Sequence, residues 1–445
     1  MRFFWLLAGC LVAAAGLDAK PVGMPNVGNT CWMNALLQCF MNMETLVERL
    51  LLIPEKEQRA DITPFMGLIT ARRLATQKGE AKVPESPNKA MQDMFGRAMP
   101  KERIGGQQDT TEGLNCWTNY SERLEEDSKV PYVTFHDIVT FYTGFLLKTT
   151  RETVGQPPLM TKADLATIAI ARPPEVKPQN PPTLRDLLLR SEFESELLKG
   201  ENQWFDERQG KKVDATKRYL MAPLEVTGKL PEFFLVNLAR LNTLTGSPYY
   251  GPITLGNKDL ELDVKDFVVP GSKDTDTLYA LIGVAVHTPG HYYAFIKDQF
   301  DPARPWYECN DSSVKLIKDA PVMVNYIQEH CYLLVYRKKS AEVASIARQR
   351  SAEKVAGKGL KDWFAGILIS VGWKESGLNA LIGKKNPEEE KLFKQFMDSR
   401  SKEKMAEWQR LVTSRAEIAR AKLEKALCNL SDSLRTLGNR ARLIS

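Results

Sequence analysis

Long apolar runs are missing from this 445-residue chain. The most extended one, Phe3 to Leu17, is about 15 residues, short of the roughly 20 that a membrane-crossing helix needs. Paired cysteines are missing too. The seven present (10, 31, 39, 116, 309, 331 and 428) are an odd number, widely scattered, with no Cys-x-x-Cys pair. That spacing excludes a legible disulfide framework or thiolate zinc site and leaves the thiols reduced and individual. No segment repeats internally. A strong excess of one charge is also absent, the net being +6, and with 43% hydrophobic and 26% charged residues the composition excludes a disordered or fibrous chain.

What is there is long enough for two units, because single cores rarely grow past roughly 250–300 residues. The small net charge hides an asymmetry. From Arg337 to Ser445 there are 24 Lys and Arg against 13 Asp and Glu, a net +11, which leaves −5 for residues 1–336. A basic tail could meet an anionic membrane or a nucleic acid, but a solvated helix face is the preferred reading, and no nucleic-acid partner is expected. At the other end Arg2 precedes the apolar run, with Ala13 and Ala15, or Leu17 and Ala19, placed for signal-peptidase cleavage. Residues 1–19 are therefore expected to be an export signal. The alternatives are an anchor that contacts a membrane, for which Leu7 to Cys10 resembles a lipoprotein box, and a buried N-terminal helix.

The segment PVGMPNVGNTCWMNALLQCF opens on Gly, Pro and Asn and then shows helical spacing in Met33, Leu36, Leu37 and Phe40. A loop feeds a helix with Cys31 at its start. Helices are expected around Ile62 to Gln77 and Gln107 to Glu125, so the first third reads mainly as helix. From Val133 alternation takes over, in VTFHDIVTFYTGFLLKT and later in VTGKLPEFFLVNLARL and TLYALIGVAVHTPGHYYAFIK, and the middle reads as sheet. PPEVKPQNPP between them reads as an exposed linker. After Tyr336 the strands stop. Leu423, Leu427, Leu430, Leu434 and Leu437 follow 4-3-4-3 spacing, a helical stripe that docks on the body or in a bundle, or else forms a coiled coil.

A cysteine at a loop-to-helix junction is suggestive, because the helix N-terminus favours a thiolate, but alone it is weak. The second element is GHYYAFIK followed by WYECNDSSV. His291 begins one strand and Asn310 or Asp311 ends the next, and antiparallel neighbours joined this way bring those ends together. A cysteine nucleophile, a histidine to take its proton and an Asn or Asp to fix the imidazole make the papain-type triad.

Three ordered motifs, NVGNTCWMNALLQ, QQDTTE and YALIGVAVHTPGHYYAFIK with WYECNDSSV, resemble the Cys box, the QQD element and the His box of ubiquitin-specific proteases. With the closing strand CYLLVYR the resemblance runs from about Val22 to Arg337. It implies an α+β papain-like fold of fingers, palm and thumb over residues 22–337, followed by a basic all-helical region over 338–445. It implies a deubiquitinase whose partners are ubiquitin and ubiquitinated proteins, with no cofactor. Position by position, Cys31 becomes the nucleophile, His291 the general base, Asn310 the third triad member and Asp311 an assistant. Asn26 matches the family's oxyanion asparagine, and Asp109 and Glu112, on one helical face, match acidic residues that hold the arginine-containing ubiquitin tail. His287 competes for the base role, but the family carries a histidine there that is not the base. His136 and His330 match no catalytic position.

The chain departs from the pattern in GENQWFDERQGKKVDATKRYL, where many relatives carry a zinc-binding Cys pair and this sequence has Asp206 and Gln209. The fingers are expected to hold by packing, without metal. Trp32 stands where an aromatic, usually tyrosine, follows the nucleophile. Two rivals to an active deubiquitinase remain, a catalytically silent ubiquitin-binding module and a protease for another ubiquitin-like modifier. An export signal on a ubiquitin-directed enzyme is reconciled by expecting an effector exported to a host cell.

Overall fold

The computed structural model describes residues 20–345 except 52, 54–58, 100–107, 127–132, 157, 174–179, 226, 241–250, 258 and 302, together with 391 and 395. The export signal expected at 1–19 and the leucine stripe expected to be helical at 423–437 lie outside the described residues.

Among the described residues six helices come first: α1 (Cys31–Met41), α2 (Glu44–Leu51), α3 (Thr63–Lys78), α4 (Glu85–Ala98), α5 (Thr110–Glu126) and α6 (Phe135–Thr143). Their apolar faces meet in an aromatic cluster. Trp117 and Phe135 stack at 3.6 Å, and Phe65 and Phe95 pack edge-on against Trp117 at 5.2 and 5.7 Å. The expectation of sheet from Val133 fails over α6. Thr134 and Asp137 form a reciprocal capping box, which satisfies two of the orphan backbone donors and starts a helix. Strand begins only after Gly144, at β1 (Phe145–Glu152).

Thirteen further strands follow: β2 (Leu159–Ala166), β3 (Ile168–Ala171), β4 (Ser195–Leu198), β5 (Trp204–Asp206), β6 (Lys211–Val213), β7 (Ala215–Ala222), β8 (Phe233–Leu238), β9 (Glu261–Asp263), β10 (Leu278–Thr288), β11 (His291–Lys297), β12 (Trp306–Asn310), β13 (Ser313–Leu316) and β14 (Cys331–Lys338). Helix α7 (Leu184–Ser191) falls after β3 and α8 (Ala320–His330) before β14. An eight-stranded sheet runs β13-β12-β11-β10-β14-β8-β3, with β9 also on β10. Its central strand, β10, is buried from Tyr279 to Val286, as expected of a strand covered on both faces. A second sheet, β2-β1-β7-β4, carries the separate β5-β6 hairpin beyond it.

That hairpin is the fingertip, and its turn is organised by a carboxylate. Buried Asp206 accepts from the Arg208 backbone N–H and Nε at 3.0 Å each, from its Nη2 at 2.9 Å and from Gln209 Nε2 at 3.0 Å. Hydrogen bonding from Arg208 outweighs burial and holds the Asp206 carboxyl at about 2. The guanidinium groups of Arg208 and of Arg151 on β1 lie over the Trp204 ring at 5.8 and 5.4 Å. Gln209 donates to the same carboxylate, so these residues do not fit a zinc ion. Among the described residues no group of three or more His, Cys, Asp or Glu could hold a metal, and no helix is long and apolar enough to cross a membrane.

Helices and large sheet are joined through Arg337, fully buried on β14. It pairs with Glu44 of α2 at 3.1 Å and with Glu232 at 2.8 Å, and donates to Gln299 Oε1 at 3.1 Å. Residues 339–345 continue as helix beyond β14 and join the same cluster, with Ser345 donating to Glu44, Arg304 donating to Ser345 at 3.0 Å, and Glu342 pairing with Lys297 at 2.8 Å. Removing one partner of such a buried cluster leaves uncompensated charge. Arg337→Met should therefore lower the unfolding free energy by about 3–5 kcal/mol, read from urea denaturation; a loss below about 1 kcal/mol would reduce the cluster to the value of a surface pair.

Candidate active site

Helix α1 is buried at all 11 positions, packed by the other helices on one side and by β10, β11 and β12 on the other. Its first residue, Cys31, is 4% exposed. Burial pushes the Cys31 thiol up; the Tyr292 backbone N–H opposes this, the Asp311 charge adds to it, and the N–H groups of Trp32 and Cys31 oppose it again. The sulfur thus lies against the backbone of the residue after His291. The deeply buried thiols are pushed up as well, by burial first, Cys309 to about 12 and Cys39 further still, with no comparable set of amides around them. Cys31 is the thiol at a helix start.

The β11–β12 hairpin aligns Ala294 with Cys309, and so brings the start of β11 beside the end of β12. His291 Nε2 lies 2.9 Å from Asn310 Oδ1. A carboxamide oxygen only accepts, so Nε2 carries the proton and Nδ1 is left as the basic nitrogen. His287 stands across from Tyr292 on β10 and packs on the rings of Tyr292 and Tyr332 at 4.4 and 5.9 Å. Burial, with His330 beside it, lowers its pKa.

Asp311 follows in the left-handed region at φ 47, which turns its side chain toward α1. Its Oδ2 accepts from Asn26 Nδ2 at 3.0 Å and its Oδ1 from Asn34 Nδ2 at 2.7 Å, while its carbonyl accepts from the Met24 N–H at 2.8 Å. Asn26 Oδ1 in turn accepts from the Thr30 backbone N–H at 3.1 Å and its hydroxyl at 3.3 Å. The carboxamide is fixed at both ends, with one N–H of Nδ2 left for a ligand. Gly23 is required beside this turn, because a Cβ there would sit 2.2 Å from the Ser312 carbonyl oxygen.

Cys31, Asn26, His291, Asn310 and Asp311 are therefore brought together. Asp109 and Glu112 do not share a helical face. The helix expected from Gln107 begins at Thr110, and Asp109 caps it, Oδ1 accepting from the N–H groups of Thr111 at 2.6 Å and Glu112 at 3.1 Å. Glu112 is partly buried one turn in. Asp109 Oδ2 accepts from the Tyr332 hydroxyl of β14, a residue that sequence reasoning passed over. The same helix meets Trp32, the residue after Cys31: a Cβ at Gly113 would lie 2.3 Å from the Trp32 ring, so the bulk of Trp32 is accommodated by a glycine. Asn34 and Asn88 were also passed over. A polar side chain three residues into a helix whose only other polar amide is Gln38 was the available signal for Asn34; nothing in the sequence marks Asn88.

Residues 22–336 match the family described as ubiquitin carboxyl-terminal hydrolase. Ubiquitin carboxyl-terminal hydrolase 25 of Arabidopsis thaliana is 26% identical over 354 residues, covering 74% of this chain and 49% of that protein. Ubiquitin carboxyl-terminal hydrolase 34 of Mus musculus is 34% identical over 148 residues, covering 27% of this chain and 4% of that protein. The chain thus spans about half the length of the first relative and a small part of the second. Among solved structures, the SAGA DUB module Ubp8/Sgf11/Sus1/Sgf73 bound to monoubiquitin and the same module bound to ubiquitin aldehyde give TM-scores of 0.54 and 0.53 at 19% identity. They cover 71% and 72% of this chain and 69% and 70% of theirs, a likeness of fold.

Burial raises the Asp109 carboxyl to about 6, against the N–H of Thr111. The folded protein thus holds this proton to higher pH than the unfolded chain does, so the group's contribution to stability is present below about pH 4 and lost as pH rises through about 6. Asp109→Asn removes that dependence and can still cap the helix. Paired urea titrations at about pH 4 and about pH 7 should show the variant gaining on wild type at the higher pH; an unchanged difference would mean that Asp109 titrates normally.

Proposed function

The chain belongs to the ubiquitin carboxyl-terminal hydrolase family, and from that premise we propose that it is a thiol-dependent deubiquitinase, hydrolysing the peptide or isopeptide bond after the C-terminal glycine of ubiquitin. The observation that carries the reading is the 2.9 Å contact of His291 Nε2 with Asn310 Oδ1, made beside a cysteine at a helix start.

With its pKa raised, Cys31 rests as a thiol at neutral pH, so attack begins with transfer of its proton to His291 Nδ1. The sulfur adds to the scissile carbonyl. The negative oxygen is met by the free Nδ2–H of Asn26 and the Cys31 backbone N–H, donors held in place before the charge develops. The carbon–nitrogen bond then breaks and His291 returns the proton to the leaving amine, leaving a thioester. Water, deprotonated by His291, displaces the sulfur and restores the thiol. Asn310 keeps Nδ1 as the basic nitrogen throughout, and Asp311 holds Asn26. The arginine-containing tail of ubiquitin is assigned to the start of α5, against Asp109 and Glu112.

Residues 1–19 extend the proposal. As an export signal they would deliver the enzyme to a host cell, with retention at a membrane as the alternative and the basic region 338–445 as a helical appendage. Mature protein found soluble in the cytosol that makes it, with residues 1–19 intact, would sink the export reading.

The test is cleavage of a ubiquitin C-terminal fluorogenic amide by protein lacking residues 1–19, beside a ubiquitin-like control. Cys31→Ala should abolish turnover, and Asn26→Ala should lower kcat about 100- to 1000-fold. Tight ubiquitin binding without turnover would make the chain a binding module, and turnover of the control alone would change the substrate.

A further inference from the structure

One face of α4 closes on the loop that carries Asn26. Asn88, fully buried near the start of that helix, donates through Nδ2 to the Pro25 carbonyl at 2.5 Å and to Asn34 Oδ1 at 2.9 Å. One turn further along, Gln92 Nε2 donates to the Gly28 carbonyl at 3.3 Å. The spacing of four puts both side chains on the same helix face, and their acceptors lie on either side of Asn26. The loop turns at Gly28 and Asn29, which both take positive φ, 103 and 50.

The polarity of this arrangement is fixed. A peptide carbonyl only accepts, so Asn88 must turn its NH2 toward Pro25, and the second N–H of that group then meets Asn34 Oδ1. Asn34 therefore presents its own NH2 outward, to the Met24 carbonyl at 3.2 Å and to Asp311 Oδ1 at 2.7 Å. Asp311 Oδ2 is left for Asn26. Four side chains in series, Asn88, Asn34, Asp311 and Asn26, run from α4 to the amide aimed at the reacting carbonyl.

We propose that Asn88 is a positioning residue for the oxyanion amide: it locks the Pro25–Asn26 peptide and the orientation of Asn34, with Gln92 as the second arm of the clamp. The inference rests on the proposed function. Asn88 reaches neither the sulfur nor the imidazole, so its loss should impair stabilisation of the developing oxyanion while leaving ubiquitin binding and the thiol intact. A misplacement of catalytic geometry by about 1 Å can cost up to about 100-fold.

The experiment measures kcat and KM on the ubiquitin fluorogenic amide, and the rate of Cys31 alkylation by iodoacetamide, a reaction that forms no oxyanion. Variants are Asn88→Ala, Asn26→Ala, their double, Gln92→Ala and Gln92→Ala with Asn26→Ala. Asn88→Ala is expected to lower kcat about 10- to 100-fold, with KM and alkylation within about twofold, and to have no further effect once Asn26 is alanine. Unchanged kcat, full additivity with Asn26→Ala, or a parallel loss of alkylation would overturn the assignment. Should Asn88→Ala fail to fold, the part-exposed Gln92→Ala must show a few-fold loss of kcat that likewise vanishes in the Asn26→Ala background, and its absence overturns the clamp. An inactive wild type would instead overturn the proposed function, and the inference with it.

Discussion

Everything at the site depends on helix α1 being held, at both ends, by asparagine side chains in a place where apolar contacts alone would let it slide. All eleven residues are buried, and the hydrophobic effect that buries them is non-directional. Direction comes from Asn34 near the N-terminus, which donates to Asp311 at 2.7 Å, and from Asn42 just past the C-terminus, which donates to the carbonyls of Ile282 and Lys297 at 2.9 and 3.0 Å. Those acceptors lie on β10, β11 and the turn after β12. The helix that carries the sulfur is therefore registered against the strands that carry the imidazole, and a shift of either would break buried and part-buried hydrogen bonds.

The cost of this placement is that burial works against the thiolate. It is the largest influence on Cys31, and the nearby Asp311 charge acts in the same direction. The carboxylate that holds Asn26 thus makes the Cys31 thiol harder to ionise. The backbone N–H groups of Tyr292, Trp32 and Cys31 oppose it without carrying a formal charge that would need its own partner. A thiol balanced this way favours its protonated form, so in the proposed mechanism the tautomer of His291, held by Asn310 at 2.9 Å, matters as much as the sulfur.

Much of this was legible in the sequence because the motifs are local. Gly and Asn before Cys31 announce a loop feeding a helix, and a strand, a turn and a second strand bring His291 to Asn310 through hairpin geometry alone. What was not legible depends on contacts across long stretches of chain. Asn34 and Asp311 are 277 residues apart and Asn88 and Pro25 are 63, and a buried asparagine on a helix looks in sequence like an exposed one. The misreading of Phe135 to Thr143 has a different cause. Ile138, Val139 and Phe141 favour strand by residue type, but the capping box at Thr134 and Asp137 satisfies the first-turn amides, and with every position except His136 buried periodicity had little to say. Asp109 was misplaced by a single turn for a similar reason: a carboxylate that caps a helix lies outside the helix it starts.

The fingertip shows the same economy of directional contacts at a distance from the site. In place of the cysteine pair of the family pattern, one buried carboxylate here accepts four hydrogen bonds from Arg208 and Gln209. Arg208 is a fitting partner because its planar fork can meet both carboxylate oxygens while its face covers an aromatic ring, and Trp204 offers that ring, with Arg151 of β1 lying over it as well. The hairpin is thereby attached to the sheet through side chains that carry charge yet bury little apolar area. A carboxylate held at about 2 stays ionised near neutral pH, so its hydrogen bonds do not depend on pH there. The carboxyl raised to about 6, Asp109, thus lies against β14 at Tyr332, whereas the one that organises the hairpin is held low by its arginine.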